Sequence, residues 1–379
     1  SPDPWLDWWR TLTDAASRKK LLQIIPTAAN GEIEEVLIDC LDEAELRWKA
    51  AWHLGHFGCV RAAAGMRHIL ADQVNGMNSV EKETVALAMG LLRDNASFEA
   101  LRSLALSDLK TEAGMFAVMA LGHFGTPEAE TALNALLGTE VDEGHVAAAL
   151  ICCGTSSAVA RAVSLARSRN DGPKWLCECM RRAFWPNCRR HLTEYYTHVA
   201  TTELVDYLAG TVSTAEHKGD VAHAFEAIDS EDVRVFLRRW ASRAGSATDQ
   251  EASEDDQSKV ARFCNTELMR RGDVSAVPYF VGERSDEKGH LYVHLAADNL
   301  SHFPSEVVAA ELRGRIVTVR DESLLACLLS LLGRFGDRSD EGLLLPFLDH
   351  ANELVANVAC ETLLRLTDPM LVPENWREL

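Results

Sequence analysis

A recurring helix-like segment constrains this chain more than any other feature. It is first seen at residues 46–58, which read Leu-Arg-Trp-Lys-Ala-Ala-Trp-His-Leu-Gly-His-Phe-Gly. Successive copies are 35, 32 and 32 residues apart in a first group, and 32, 32 and 31 residues apart in a second group. A repeat of this length predicts a solenoid of stacked helical pairs. The positions equivalent to Gly55 are Gly90, Gly122, Gly154, Met269, Ser301, Gly333 and Leu364.

The segment has the pattern of an amphipathic helix. At 100° per residue one face is apolar, and we expect a partner helix to cover it. Ala51 lies beside this apolar stripe, where a small side chain lets the next repeat approach closely. Gly55 and Gly58 are expected to weaken and end the helix. The stripe consists of Leu46, Ala50, Leu54 and Phe57.

Two of the clearest copies end in Leu-Gly-His-Phe-Gly at residues 121–125 and in Leu-Gly-Arg-Phe-Gly at residues 332–336. The pattern resembles the second helix of a HEAT repeat, particularly the short repeats of phycobilin lyase-type proteins. The resemblance implies an all-α fold, a right-handed α-solenoid of HEAT-like helical pairs. HEAT repeats do not specify a function, and a bilin-lyase-like enzyme is one alternative that the resemblance leaves open.

The chain divides into four predicted regions. Residues 1–155 hold regular repeats, preceded by a Trp-rich cap in which Trp5, Trp8 and Trp9 are expected to cover the exposed first repeat. Residues 156–244 form an irregular helical centre with larger aromatic side chains and turns at 171–173 and 185–187. Residues 245–258 are acidic and lack apolar anchors, which predicts a mobile loop. Regular repeats resume at 259–379.

The amino-acid composition limits which cellular compartments and which partners suit the chain. The formal net charge of −19 disfavours nucleic acid and anionic membranes and favours a basic protein, although solubility alone would also explain it. Many of the ten cysteines, including Cys327 and Cys360, lie in helix-like runs, which is typical of buried thiols in a reducing compartment. Without a transmembrane-length stretch or a signal peptide, we expect a cytoplasmic protein.

The histidines at one repeat position invite a metal-binding interpretation. His56 and His123 are separated by one intervening repeat, which places them about 20 Å apart, too far to share an ion. Every residue in this column lies in a last helical turn, where a cation complements the negative helix end. We therefore predict helix caps at the cationic positions of the column, which are His56, His123, Arg270, His302, Arg334 and Arg365.

No catalytic motif was found in the sequence. HEAT-like iron hydroxylases carry His-Glu pairs, and the chain contains no His-Glu dipeptide. A serine nucleophile elbow, a phosphate loop and a dinucleotide fingerprint are also missing. A zinc site at Cys177, Cys179, Cys188 and His191 is disfavoured because the first two point to different helix faces. The sequence thus predicts no catalytic residue, no metal and no cofactor, and a protein that is not an enzyme.

The remaining candidate surface lies opposite the apolar stripe. Trp48 and Trp52 face away from the stripe, and exposed Trp and Met are typical interface anchors. If these side chains are not covered by the solenoid itself, we expect a non-enzymatic scaffold that holds a protein in its concave groove. It would be an adaptor subunit of a larger assembly, or an inhibitor such as an immunity protein against a basic toxin. The predicted partner-binding residues are Trp48, Trp52, Leu87, Met115, Met119, Ile151, His294 and Asp298.

Overall fold

The fold is almost entirely helical. The computed structural model describes residues 4–25, 31–71, 79–107, 111–188, 196–211, 215–243, 254–282 and 291–367. Over these ranges the chain forms 22 α-helices, and its extended structure is limited to an isolated bridge between Tyr196 and Ile228. None of the described helices is both long enough and apolar enough to cross a membrane. The all-α prediction is confirmed.

The chain forms two compact units, Ser1–Val233 and Arg234–Leu379. The helices of the first unit are α1 Pro4–Thr11, α2 Ala15–Leu21, α3 Gly31–Asp39, α4 Arg47–His56, α5 Ala63–Ala71, α6 Ser79–Leu91, α7 Phe98–Ser107, α8 Glu112–His123, α9 Pro127–Leu136, α10 Glu143–Cys153, α11 Ser156–Arg167, α12 Gly172–Cys188, α13 Thr202–Thr211 and α14 Ala215–Ala224. Helix α15 (Glu231–Arg243) spans the boundary. The helices of the second unit are α16 Glu254–Arg270, α17 Val277–Gly282, α18 Leu291–Leu300, α19 Ser305–Ile316, α20 Glu322–Phe335, α21 Glu341–Leu344 and α22 Glu353–Thr367.

Within each unit the helices are arranged as consecutive pairs. In the first unit α4, α6, α8, α10, α12 and α14 stack on one another in chain order. Helices α5, α7, α9 and α11 pack alongside this stack. In the second unit α18, α20 and α22 stack in the same way, and α19 packs against α20. This is the pairing of an α-solenoid, in which each repeat covers the apolar face of its neighbour.

The apolar stripe of the repeat lies where the helical wheel places it. Leu46, Ala50 and Leu54 are fully buried, and Phe57 is half-buried at the end of the stripe. Because α4 contacts both α3 and α6, the stripe is covered by its own pair and by the next repeat. The predicted core face of this helix is therefore confirmed.

Glycines stand at the end of the repeated helix, as predicted, but for two different reasons. Helix α4 ends one residue after Gly55, and Gly58 follows with a φ of 66°, in the left-handed region that favours glycine. Gly55 itself permits a close approach, since a Cβ there would lie 2.8 Å from the Cα of Ala88 on α6. The close approach that Ala51 was expected to allow thus takes place at Gly55.

The same backbone contact recurs along the stack. A Cβ at Gly90 would lie 2.6 Å from both the Cα and the carbonyl oxygen of Ala120. A Cβ at Gly122 would lie 2.9 Å from the Cα of Ala149. Real Cβ atoms do not approach backbone atoms this closely, so α4, α6, α8 and α10 can pack at their present separations only with glycine at these positions.

Polar side chains connect each repeat to the next through contacts between residues roughly one repeat length apart in the sequence. Arg67 Nη1 lies 2.7 Å from both carboxylate oxygens of Asp94, which precedes the next short helix. Thr155 Oγ1 donates to Glu130 Oε2 over 2.6 Å, again across one repeat. These contacts join a helix of one pair to the turn of the next, and thereby fix the spacing of the pairs. Equivalent contacts in the second unit join Arg238 to Asp273 and Arg313 to Asp340.

The amino-terminal tryptophans divide between core and surface. Trp5 and Trp9 are buried and stacked, with ring centroids 5.3 Å apart, and Trp5 Nε1 donates to Leu21 O over 3.1 Å. Trp8 is 56% exposed. The i, i+4 pair therefore packs α1 against α2, whereas Trp8 has no part in this packing.

Two of the predicted irregular segments are helical. Helix α12 continues through Trp185-Pro186-Asn187 to Cys188, so the turn predicted there is wrong. Helix α16 begins at Glu254, which makes the last five residues of the predicted acidic loop helical. Residues 244–253 lie outside the described part of the chain. A run of acidic residues favours the first turn of a helix, which is why the acidic composition did not distinguish loop from helix.

Candidate functional site

The structure separates the predicted partner-binding residues into buried and accessible ones. Leu87 is 1% exposed, Met119 8% and Ile151 0%, so these three belong to the core, and their assignment to a binding surface is wrong. The physical reason is that α6, α8 and α10 each have a stacked neighbour on both sides as well as a paired helix. Contacts on three sides bury positions that the wheel of one isolated helix places opposite its apolar stripe.

Trp48 and Trp52 on α4 and Met115 on α8 are half-buried. We call these three residues the tryptophan patch. The remaining two predicted residues belong to the second unit. Asp298 on α18 is exposed and lies 3.8 Å from Arg334, whereas the side chain of His294 lies outside the described residues. Only the first unit therefore offers an apolar candidate surface from the predicted set.

Two lysines lie against the Trp48 indole. The Lys49 ammonium is 5.3 Å from the ring centroid and the Lys19 ammonium is 6.0 Å from it. Lys49 Nζ also donates to Lys19 O over 2.9 Å, which ties α4 to α2. Cations over an indole face are stabilised by the ring quadrupole. Trp48 is thus held in place and stays partly accessible.

The Trp52 ring packs against the ring of His56, with centroids 4.3 Å apart and the ring planes tilted by 36°. The His56 Nδ1–H donates to Trp52 O over 2.8 Å, because a carbonyl oxygen can only accept. His56 therefore caps a carbonyl of its own last turn, as predicted for this column.

His123, at the same repeat position on α8, behaves differently. It is 3% exposed, and its Nδ1 lies 3.2 Å from Cys152 Sγ on α10. Burial, with smaller contributions from neighbouring cations, lowers the pKa of His123 to about 3. The ring is neutral at physiological pH, so the prediction that it acts as a cationic helix cap is wrong. Its Nε2 is buried and has no hydrogen-bond partner in the part of the chain that the structure describes.

A short non-helical segment, residues 196–200, packs beside His123. Tyr196 is paired through its backbone, donating to Ala227 O over 2.9 Å and accepting from Asp229 N over 3.2 Å. Its ring centroid lies 4.8 Å from that of Phe184 and 6.1 Å from that of His123. We call residues 196–200 the docking segment.

The docking segment is fastened to the carboxyl end of α10. Ala200 N donates to Gly154 O over 3.0 Å, and the His198 Nε2–H donates to Cys152 O over 3.2 Å. Gly154 has a φ of 76°, and a Cβ there would lie 2.9 Å from His198 Cδ2. Glycine at this position thus permits both the left-handed backbone conformation and the close approach of His198.

Burial and neighbouring positive charges both act on the imidazoles of His123 and His198. Desolvation lowers the pKa of His123 and of His198, and the positive charge of Arg93 lowers both further. His56 also lowers the pKa of His123 electrostatically. The docking segment therefore packs at the carboxyl ends of α8 and α10, with Tyr196 beside His123 and His198 against Cys152.

Most of the described cysteines are buried thiols. The nine described cysteines are free, and burial raises the pKa of Cys177 and of Cys179 to about 12. Cys360 is exposed, so the expectation that it is a buried thiol is wrong. Among the described residues no three His, Cys, Asp or Glu side chains are arranged to hold a metal ion. The side chains of Cys188 and His191 lie outside that part of the chain.

The comparisons with known proteins add little to this geometry. No protein-family model and no curated protein matches the chain. A structure of human deoxyhypusine hydroxylase in complex with glycerol matches with a TM-score of 0.26 and 13% sequence identity, covering 93% of this chain and 98% of that chain. At this TM-score the match does not assign an activity, a ligand or a site.

The matched structure does correct one prediction. It is the structure of an enzyme, so the expectation that this chain is not an enzyme is withdrawn. The paired and stacked helices of each unit form a helical-repeat architecture.

Proposed function

We propose that the chain is a HEAT-like repeat protein that binds another protein through the tryptophan patch of its first unit. Three observations support the HEAT-like assignment: the interval of 31 to 35 residues, the glycine contacts between stacked helices, and the polar contacts across one repeat. Binding of a protein by the stacked face would place the partner in the concave groove of such a solenoid.

One observation carries the proposal: two indoles, Trp48 and Trp52, stay half-exposed on one face of α4 while the opposite face is fully buried. Large aromatic side chains that are already ordered lose little entropy on binding and bury a large area, which makes them frequent interface anchors. The contact of Trp52 with His56 and the two lysines beside Trp48 order these rings before any partner binds.

The net charge of −19 favours a basic protein as the partner. An adaptor within an assembly and an inhibitor of a basic toxin both fit this charge. We expect the cytoplasm as the location, because buried free thiols such as Cys177 suit a reducing compartment. Binding at the tryptophan patch neither requires nor excludes a chemical step elsewhere in the chain.

The test compares binding with folding. The double variant Trp48→Ala/Trp52→Ala and the control variant Trp8→Ala, which removes an exposed indole from α1, are used for affinity capture from the native host. Quantitative mass spectrometry then compares the captured proteins. We expect a stoichiometric basic protein that is captured by wild type and by Trp8→Ala and is lost with the double variant.

A stability measurement accompanies the capture. Leu54→Ala removes a fully buried side chain and should cost about 2 to 5 kcal/mol of unfolding free energy. The double tryptophan variant should lose clearly less. If the double variant is destabilised as strongly as Leu54→Ala, the two indoles belong to the hydrophobic core. Equal capture of the basic protein by wild type, Trp8→Ala and the double variant would also refute the tryptophan patch as the binding surface.

A further inference from the structure

The two helices around Trp48 are basic, although the whole chain is acidic. Residues 15–25, which include α2, contain three cationic and no acidic side chains, and residues 46–58, which include α4, contain two cationic and no acidic side chains. The whole chain has 57 acidic residues and 38 basic ones. Net charge guides the approach of a partner, whereas the charges beside a contact decide which groups pair there. The chemistry that suits the tryptophan patch therefore depends on its own neighbours.

Three of these five cations are engaged within the fold. Arg18 pairs with Glu43 at 3.4 Å. Arg47 Nε donates to a backbone carbonyl oxygen over 2.7 Å, and Lys49 Nζ donates to Lys19 O over 2.9 Å. These contacts are internal to the first unit and leave two neighbouring lysines of α2 for an external partner.

One of these two lysines, Lys19, lies at the tryptophan patch. Its ammonium is 6.0 Å from the centroid of the Trp48 ring, and its side chain is exposed. In the part of the chain that the structure describes, this ammonium makes no hydrogen bond and no ion pair. An indole face attracts a cation but does not accept the hydrogen bonds of its three N–H groups. The donors of Lys19 are therefore available to an acceptor on a partner.

The position of this ammonium relative to the indole is constrained from both helices. Lys49 lies against the same ring at 5.3 Å and bonds to Lys19 O, so it ties the indole to the backbone of α2. A second bond joins the helices, because the His53 Nε2–H donates to Leu22 O over 2.7 Å. The indole and the ammonium thus form a preorganised pair, which lowers the entropy lost on binding.

We propose that the partner covers the tryptophan patch with an apolar side chain and places a carboxylate on the Lys19 ammonium. This inference rests on the proposed function and specifies the kind of segment that the patch binds. A carboxylate oxygen about 2.8 Å from Lys19 Nζ lies within about 9 Å of the Trp48 ring centroid. An extended peptide advances about 3.4 Å per residue. The aspartate or glutamate should therefore lie within about three residues of the apolar side chain.

Two other kinds of ligand fit the patch less well. A basic segment would bring a like charge against Lys19, which costs binding energy. Single-stranded nucleic acid can stack on indoles, but it also needs a row of free cations along its backbone. The described cations beside Trp48 are Lys19 and Lys49, and Lys49 is already engaged by Lys19 O. One free cation suits a single carboxylate.

The experiment begins with selection of random dodecapeptides, displayed on phage, by the immobilised full chain. The variant Trp48→Ala/Trp52→Ala serves for counter-selection, so that the retained peptides are those that need the two indoles. We expect these peptides to combine an apolar or aromatic residue with Asp or Glu within about three positions. Oligothymidylate binding is measured in parallel as the nucleic-acid alternative.

A double-mutant cycle then tests the contact itself. A selected peptide is labelled with fluorescein and its dissociation constant is measured by anisotropy, with the carboxylate or with the corresponding amide, against wild type and Lys19→Gln. Each single change should weaken binding by about three- to tenfold, and both together should be little weaker than either alone. Lys174→Gln removes an exposed lysine of α12 as the matched charge control and should change the dissociation constant by less than about twofold. The unfolding midpoint of Lys19→Gln should equal that of wild type, because the side chain is exposed.

The outcomes separate this inference from the proposed function. Peptides that need the indoles but carry no acidic residue would overturn the carboxylate contact and leave the proposed function standing. Independent, additive effects of Lys19→Gln and of the peptide amide would do the same. A selection without any peptide that needs the indoles would overturn both. Oligothymidylate binding that is lost with the double variant, in the absence of such peptides, would replace the protein segment with nucleic acid.

Discussion

The contact between Gly90 and Ala120 offers the sharpest test of how the repeats pack. In Gly90→Ala the new methyl carbon would start 2.6 Å from two backbone atoms of Ala120, and an ordinary contact begins near 3.4 Å. Helices α6 and α8 must therefore separate by about 0.8 Å, since backbone atoms cannot rotate away as the end of a flexible side chain can.

The cost follows from the buried side chains that these two helices carry. Leu87, Met89 and Leu121 are fully buried. A gap of 0.5 to 1 Å forfeits roughly a quarter to a half of each dispersion contact across it, or about 1 kcal/mol for each side chain. Alanine recovers at most about 1 kcal/mol through its better helix propensity. We expect a net destabilisation of about 2 kcal/mol, within the range known for overpacked cores.

Gly219→Ala is the matched control. Gly219 lies inside α14 of the same unit, and a Cβ there would meet nothing within 4 Å. This variant should be unchanged or more stable by up to about 1 kcal/mol. Urea unfolding followed by circular dichroism gives both free energies, and hydrogen exchange assigns the change to α6 and α8. If Gly90→Ala proves as stable as wild type, or gains stability as Gly219→Ala does, the backbone contact does not determine the helix spacing.

Three further predictions concern the docking segment and the buried groups. Burial lowers the pKa of His123 to about 3, so as the pH falls the unfolded chain takes up a proton on this histidine before the folded chain does. The free energy of unfolding should therefore decrease between about pH 6.5 and pH 3, by about 1.4 kcal/mol per pH unit. His123→Asn should flatten the fall of unfolding free energy with acid, and an unchanged slope would contradict the neutral buried ring. In Gly154→Ala the new methyl group strains the left-handed backbone and clashes with His198, which should destabilise the docking segment locally by about 1 to 2 kcal/mol. Hydrogen exchange of the Ala200 amide should then be about tenfold faster or more. Unchanged exchange would show that other contacts hold the segment. Iodoacetamide should modify Cys360 in the native protein but Cys177 only after unfolding, and rapid native labelling of Cys177 would refute its burial.

Part of the candidate site could be predicted from the sequence. The helical wheel of residues 46–58 placed Trp48 and Trp52 away from the buried stripe, and both are half-exposed. The same reasoning failed for Leu87 and Ile151, which are buried. Helix α4 meets different neighbours from α6 and α10, and no single-helix pattern contains that information.

The cluster at His123 had only a faint sequence signal. Tyr196 and His198 are more than 70 residues from His123 and lie in a segment without helical periodicity. The replacement of glycine by Arg93 at a repeat position occupied by Gly58 and Gly125 was visible in the alignment of the repeats. That this arginine adopts the left-handed conformation is known only from the structure.

The sequence by itself determined that the chain forms helices in pairs, with a buried stripe through Leu46, Ala50 and Leu54. These properties depend on contacts between residues three or four positions apart, so they are written in the local pattern. The tertiary structure alone decided that Gly90 is a contact point between helices, that Ile151 is covered, and that His198 docks on Gly154. Such contacts join residues from different repeats. Whether they form depends on differences of a few tenths of an ångström in the positions of the helices, which residue type does not encode.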